Sequence, residues 1–171
     1  MALRTILQTG DEALRKTARK VTKFDSRLHE LLDDMRETMN SVDGVGLAAP
    51  QVGINRCVVT IEIGEDYIEL INPEIIEQSG EQIRSEGCLS VQDVTGYVVR
   101  PEKVKVRAQD RTGKWHEYKT DGYFAVAVCH ETDHLKGVLF TDKIADLTPE
   151  ELAALEERDR REYEEDDEEI E

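Results

Sequence analysis

Val128-Cys129-His130-Glu131-Thr132-Asp133-His134-Leu135 is the stretch on which the reading of the chain turns. It contains His-Glu-x-x-His. On an α-helix a spacing of four sets both imidazoles on one face, one turn apart, where two neutral rings can clasp a single metal ion. Glu131 stands beside the first ring, where a carboxylate can take a proton from an activated water. Only four histidines occur in the chain, and two of them flank this glutamate. The plainer alternative is an amphipathic helix that happens to carry two histidines. The rest of the chain therefore has to supply a third ligand and a pocket.

The length of 171 residues suits one domain with a real core. Hydrophobic residues make up 39% and charged residues 35%, and no apolar run approaches the roughly 20 residues needed to cross a bilayer. The opening Met1-Ala2-Leu3-Arg4-Thr5-Ile6 lacks the pattern of a secretory signal, so the expectation is a cytoplasmic protein without membrane contact. The formal net charge is −16. Residues 148–171 hold 13 acidic and 3 basic side chains, a net of −10, leaving −6 for the rest. That balance argues against broad charge-driven binding to nucleic acid, and no local basic patch is evident from this reading. Three cysteines, Cys57, Cys88 and Cys129, are odd in number and widely spaced, which is no disulfide framework. One metal-bound or reactive thiolate is the more informative reading.

Outward from the motif, the elements read as α+β, with antiparallel strands packed around a central metal-binding helix. A short helix is expected after Gly10-Asp11, with Leu14 and Ala18 on one face. A stronger helix follows Asp25-Ser26, carrying Leu28, Leu31, Leu32, Met35 and Met39 at helical spacing. Residues 44–51, Gly-Val-Gly-Leu-Ala-Ala-Pro-Gln, read as a connecting or substrate-approach loop; without a following Lys-Ser/Thr they are a poor phosphate loop. Strands are expected over 57–63 and 67–71 as a hairpin across Gly64-Glu65-Asp66, with Asn72-Pro73 ending the second and residues 74–83 open to another. More follow over 96–100, 104–109 and 115–119. The metal helix begins after Asp121-Gly122 and ends at Gly137. Thr148-Pro149 opens a last helix that runs into an acidic tail expected to be disordered. Residues 1–147 thus form the catalytic domain and 148–171 the acidic appendage.

For the third ligand, no histidine lies beyond His134, and the acids there fall in short loops or the tail. Cys88, between Gly87 and Leu89 in a non-periodic segment, completes a Cys-His-His triad better than any other residue. Three segments then resemble the signatures of the peptide deformylases: residues 44–51 (GVGLAAPQ), 86–90 (EGCLS) and 130–134 (HETDH), in order, with Arg100-Pro101 and Leu135-Lys136-Gly137 in support. The resemblance spans about residues 6–142.

The resemblance implies that Cys88, His130 and His134 hold one divalent metal, ferrous iron in this family, with zinc, nickel or cobalt as substitutes. Coordination preference alone favours zinc. It implies hydrolysis of the formyl group from the N-terminal formyl-methionine of new polypeptides. Glu131 is then the base, and Gln51 and the Leu89 N–H receive the oxyanion. Val45, Gly46 and Leu47 would pair with substrate backbone, and Val126 and Ala127 would line the methionine pocket. Cys129 stands where the family usually has glutamine, as a packing neighbour or an oxidation-sensitive thiol. Gln92 replaces a common proline. Members can dock on the ribosome through a basic C-terminal region, which the acidic tail here does not offer. Two rivals make distinct predictions. A zinc peptidase would need a ligand downstream of His134, and a metal-stabilised binding module would close its site with a fourth protein ligand and lose nothing with Glu131.

Overall fold

The structure, a computed structural model, describes residues 2–170. Among the described residues, three α-helices, α1 (Ser26–Ser41), α2 (Gly122–His134) and α3 (Pro149–Ile170), combine with seven strands. The strands are β1 (Gly46–Ala48), β2 (Val58–Ile63), β3 (Asp66–Ser79), β4 (Gln82–Cys88), β5 (Val91–Arg100), β6 (Lys103–Gln109) and β7 (Trp115–Asp121). Five form an antiparallel sheet in the order β1-β2-β3-β6-β7, and β4 pairs with β5 in a separate ribbon. This is the expected α+β arrangement.

The sheet lies between two helices, and the alternation of β2 shows it. Val58 packs with Leu28, Leu31, Leu32, Met35 and Met39 of α1. Its neighbours Val59 and Ile61 turn the other way, onto Ala125, Ala127, Val128 and Cys129 of α2. Burial on both faces explains the near-continuous apolar run of β2. Asp25 starts α1 by accepting the Leu28 N–H at 3.2 Å. Every position of α2 from Ala125 to Thr132 is buried, so this helix runs through the middle of the molecule. It ends just before Gly137 (φ +73°), where a Cβ would collide with the Arg15 carbonyl.

Several elements differ from the sequence reading. The helix expected after Gly10-Asp11 is one 3₁₀ turn, Glu12–Arg15, with Leu14 buried and Ala18 beyond it. Residues 46–52 form a short strand and a 3₁₀ turn instead of a loop. Asn72-Pro73 does not end a strand. Asn72 turns to φ +52° and the β3–β6 register shifts between Ile71 and Glu74, so the proline sits where the ladder needs no N–H. The tail expected to be disordered continues α3 to Ile170. That helix is tethered by Tyr97 donating to Asp159 at 2.7 Å and by Arg158 donating to the Ile83 carbonyl at 2.8 Å. No described helix is long and apolar enough to cross a membrane.

Candidate active site

A cavity of about 370 Å³ opens between the residues just after α1, the end of β4 and one face of α2. Cys88 reaches it from the last position of β4, immediately after a register shift between Glu86 and Cys88. Such a bulge re-aims the side chain that follows it. His130 and His134 come from α2. Ligand atoms of Cys88, His130 and His134 all lie within 4.8 Å of one another, with Cys88 Sγ 3.4 Å from His134 Nε2.

The second nitrogen of His130 is already committed. Its Nδ1 lies 2.8 Å from Glu86 Oε1, and a carboxylate can only accept, so this nitrogen donates and Nε2 is left for a cation. Glu86 takes two further hydrogen bonds from Arg100, at 2.9 and 3.0 Å, and Arg100 continues to Asp133 at 2.7 Å. Burial works against the Glu86 carboxylate, but His130 and Arg100 outweigh it and hold its pKa low. Burial, with His130 nearby, pulls the His134 imidazole down to about 3, so that ring is neutral and has a lone pair to give.

Two buried polar atoms here lack any hydrogen-bond partner, Glu131 Oε2 and His134 Nδ1. Buried groups are nearly always satisfied, so the unpaired Glu131 oxygen marks a place for a further partner, whereas His134 Nδ1 is the ring nitrogen other than the Nε2 that faces Cys88 Sγ. Glu131 is 5% exposed, its Oε1 lies 3.8 Å from His130 Nε2, and burial pushes its pKa up to about 7. One thiol, two imidazoles and an adjacent unpartnered carboxylate are a donor set that fits a catalytic divalent cation with an open position. Among the described residues, only Cys88, His130 and His134 form such a group.

Gln51 is locked from both ends. Its Oε1 accepts the Ala48 N–H at 2.9 Å, and its Nε2 donates to Ser90 Oγ at 3.0 Å while lying 3.6 Å from Cys88 Sγ. Leu89, Val45, Gly46, Val126 and Ala127 line the cavity. Leu47 does not; its side chain is wholly buried in the core against α1, which leaves only its backbone for a ligand. Cys129 packs in the α2 core away from the three donors, with burial pushing its thiol up to about 11. Gln92 is exposed near the start of β5. The sequence reading missed Tyr123 at the cavity wall and Ser90 behind Gln51. Tyr123 stands three and four residues before Val126 and Ala127, a spacing that could have revealed it. Ser90 carries no such periodic signal.

Residues 3–150 match the family model of the polypeptide deformylases. A peptide deformylase of Caldicellulosiruptor bescii is 54% identical over 151 residues, covering 88% of this chain and 91% of that protein. One from Alkaliphilus metalliredigens is 57% identical over 144 residues, 84% of this chain and 98% of its own. The crystal structure of peptide deformylase from Thermotoga maritima superposes with a TM-score of 0.83 at 41% identity, covering 84% of this chain and 99% of that one. A Met-Ala-Ser-bound class I type b peptide deformylase from Acinetobacter baumannii gives 0.79 at 35% identity, over 83% and 98% of the two chains. With the triad, the buried carboxylate and the locked glutamine on the same cavity, these matches settle the family: the chain belongs to the polypeptide deformylases.

Proposed function

We propose that Glu131, Gln51 and Leu89 carry out the deformylation of N-formyl-methionyl polypeptides around one divalent cation held by Cys88, His130 and His134. The chain's activity is removal of the N-formyl group from nascent polypeptides. The observation that carries the residue roles is the convergence of three ligand atoms within 4.8 Å beside a buried carboxylate oxygen that has no partner.

When bound, the cation supplies Lewis-acid activation of a water and of the formyl carbonyl. Glu131 takes the proton that the attacking water loses and returns it to the departing amine as the formyl C–N bond breaks, yielding formate and a free methionyl N-terminus. A carboxyl group raised to about 7 by burial is suited to both transfers near neutral pH. The Gln51 amide, fixed by Ala48 and Ser90, and the Leu89 N–H meet the developing negative oxygen. The peptide runs extended along Val45, Gly46 and the Leu47 backbone, with its methionine side chain against Val126 and Ala127. Ferrous iron is the metal that the family resemblance favours; zinc, nickel and cobalt accept the same donors. Cys57, Cys88 and Cys129 are free thiols, which suits a reducing cytoplasm.

The test is formate release from N-formyl-Met-Ala-Ser by the wild type and Glu131→Gln at equal metal content. General base catalysis contributes about 10²–10⁴-fold, and a loss of that size is expected. Equal rates would remove Glu131 from the mechanism.

A further inference from the structure

A groove of about 720 Å³ beside the N-terminal half of α1 is lined by six cations, Arg4, Arg19, Lys20, Lys23, Arg27 and Arg56, against two acids, Asp25 and Glu30. Residues 15–27 alone hold six basic side chains and one acid, in a chain of net charge −16. The single acid, Asp25, is occupied in capping α1. Arg4 pairs with Asp34 at 2.9 Å. Among the described residues, Arg19, Lys20, Lys23, Arg27 and Arg56 have no acidic partner within 4.0 Å, and all five are exposed.

The groove is also built rather than loose. Arg19 and Arg56 are joined by a parallel β-bridge: the Arg19 N–H donates to the Asn55 carbonyl at 3.2 Å and the Cys57 N–H to the Arg19 carbonyl at 2.8 Å. Asn72 pins Val21 in both directions, at 2.8 and 2.9 Å. Holding unpaired like charges side by side on a fixed frame costs stability, and a polyanionic ligand would offset it. None of the lining residues is an exposed large apolar side chain, since Leu28, Leu31 and Val58 at the floor are buried. A membrane surface would want such anchors. A concave strip of guanidinium and ammonium groups instead suits a chain of phosphodiesters.

We propose that this groove docks a single RNA strand through its phosphate backbone. The groove takes in the N-terminal half of α1, and the catalytic cavity begins at Asp43, just past its C-terminus. From Leu31, the last α1 residue of the groove, to Ser41 the helix rises about 15 Å, which separates the two openings.

The experiment uses the full-length protein and a fluorescein-labelled 20-nucleotide oligouridine, with anisotropy followed across a salt series. The wild type is expected to bind at low salt, with log K falling against log salt at a slope of about −3.5 for five cations. Lys20→Glu/Arg27→Glu is expected to weaken binding at least tenfold, and Lys103→Glu/Lys119→Glu, an equal change of net charge on β6 and β7, less than twofold. Formate release from a free formyl peptide reports folding and should be unchanged in both. Absence of binding by the wild type, or equal weakening by the two variants, overturns the proposal. So does binding to phosphatidylglycerol–phosphatidylcholine vesicles, sensitive to Lys20→Glu/Arg27→Glu, in place of RNA.

Discussion

Gly46 shows how closely single residues are set around the proposed base, Glu131. A Cβ there would stand 2.9 Å from Glu131 Cγ and Oε1, a separation that forces the carboxylate aside. Gly46→Ala is therefore expected to keep the fold and about one metal per chain while losing 10²-fold or more in formate release, the scale of a displaced base. Unchanged turnover would mean that Glu131 has room the structure does not give it. At this scale the sequence was most readable where chemistry imposes a spacing. The four-residue step from His130 to His134 and the lone cysteine beside Gly87 pointed to the three donors that the fold brings together. It was least readable where the partner is distant in the chain. Nothing in Ser90 announces that its hydroxyl holds Gln51, and Glu86 needs Arg100 beside it before its hold on His130 makes sense.

At the scale of elements, the end of α2 is tied to the N-terminal segment through Arg15, which donates to Asp142 Oδ1 and to the Gly137 carbonyl, both at 3.1 Å. The Arg15 hydrogen bond, with help from the Leu139 N–H, holds the Asp142 carboxyl below its ordinary pKa. A folded-state pKa lowered in this way adds stability above the unfolded carboxylate value, about 3.9, and that stability is lost as pH falls through the folded value. The Tm gap between wild type and Asp142→Asn should therefore be constant above about pH 5 and close below about pH 4; a gap independent of pH would contradict the pairing. Among the described residues, the hydrogen bonds from α3 to the rest of the fold are one to Ile83 and one from Tyr97. At about 0.5–1.5 kcal/mol each, their removal by truncation after residue 147 should lower Tm by a few degrees while turnover of a free formyl peptide stays within about twofold. A collapse of activity would place α3 inside the catalytic unit. Helical and hairpin elements with clean periodicity, α1 and β2 above all, were legible in advance. The ribbon of β4 and β5 was only half visible, because its first strand shows no two-residue alternation: residues 82–85 are half-buried or exposed, and only Glu86 is buried. The continuation of β3 through Asn72-Pro73 was hidden because a proline reads as a stop until a bulge is known to receive it.

For the whole molecule, net charge was the most misleading summary. A value of −16 is a sum, and it conceals that acid is concentrated in residues 148–171 while residues 15–27 are basic. Arg4 and Arg56 join that basic run only through the fold, so no linear reading could have assembled the groove. The candidate metal site, by contrast, unites the end of the β4 strand with the central helix. Its test is X-ray absorption at the metal edge of the protein loaded with one zinc per chain. One sulfur neighbour at about 2.3 Å and two imidazole nitrogens at about 2.0–2.1 Å are expected, with a light atom completing the shell. A first shell without sulfur, in protein that still turns over formyl-methionyl peptide, would contradict this coordination.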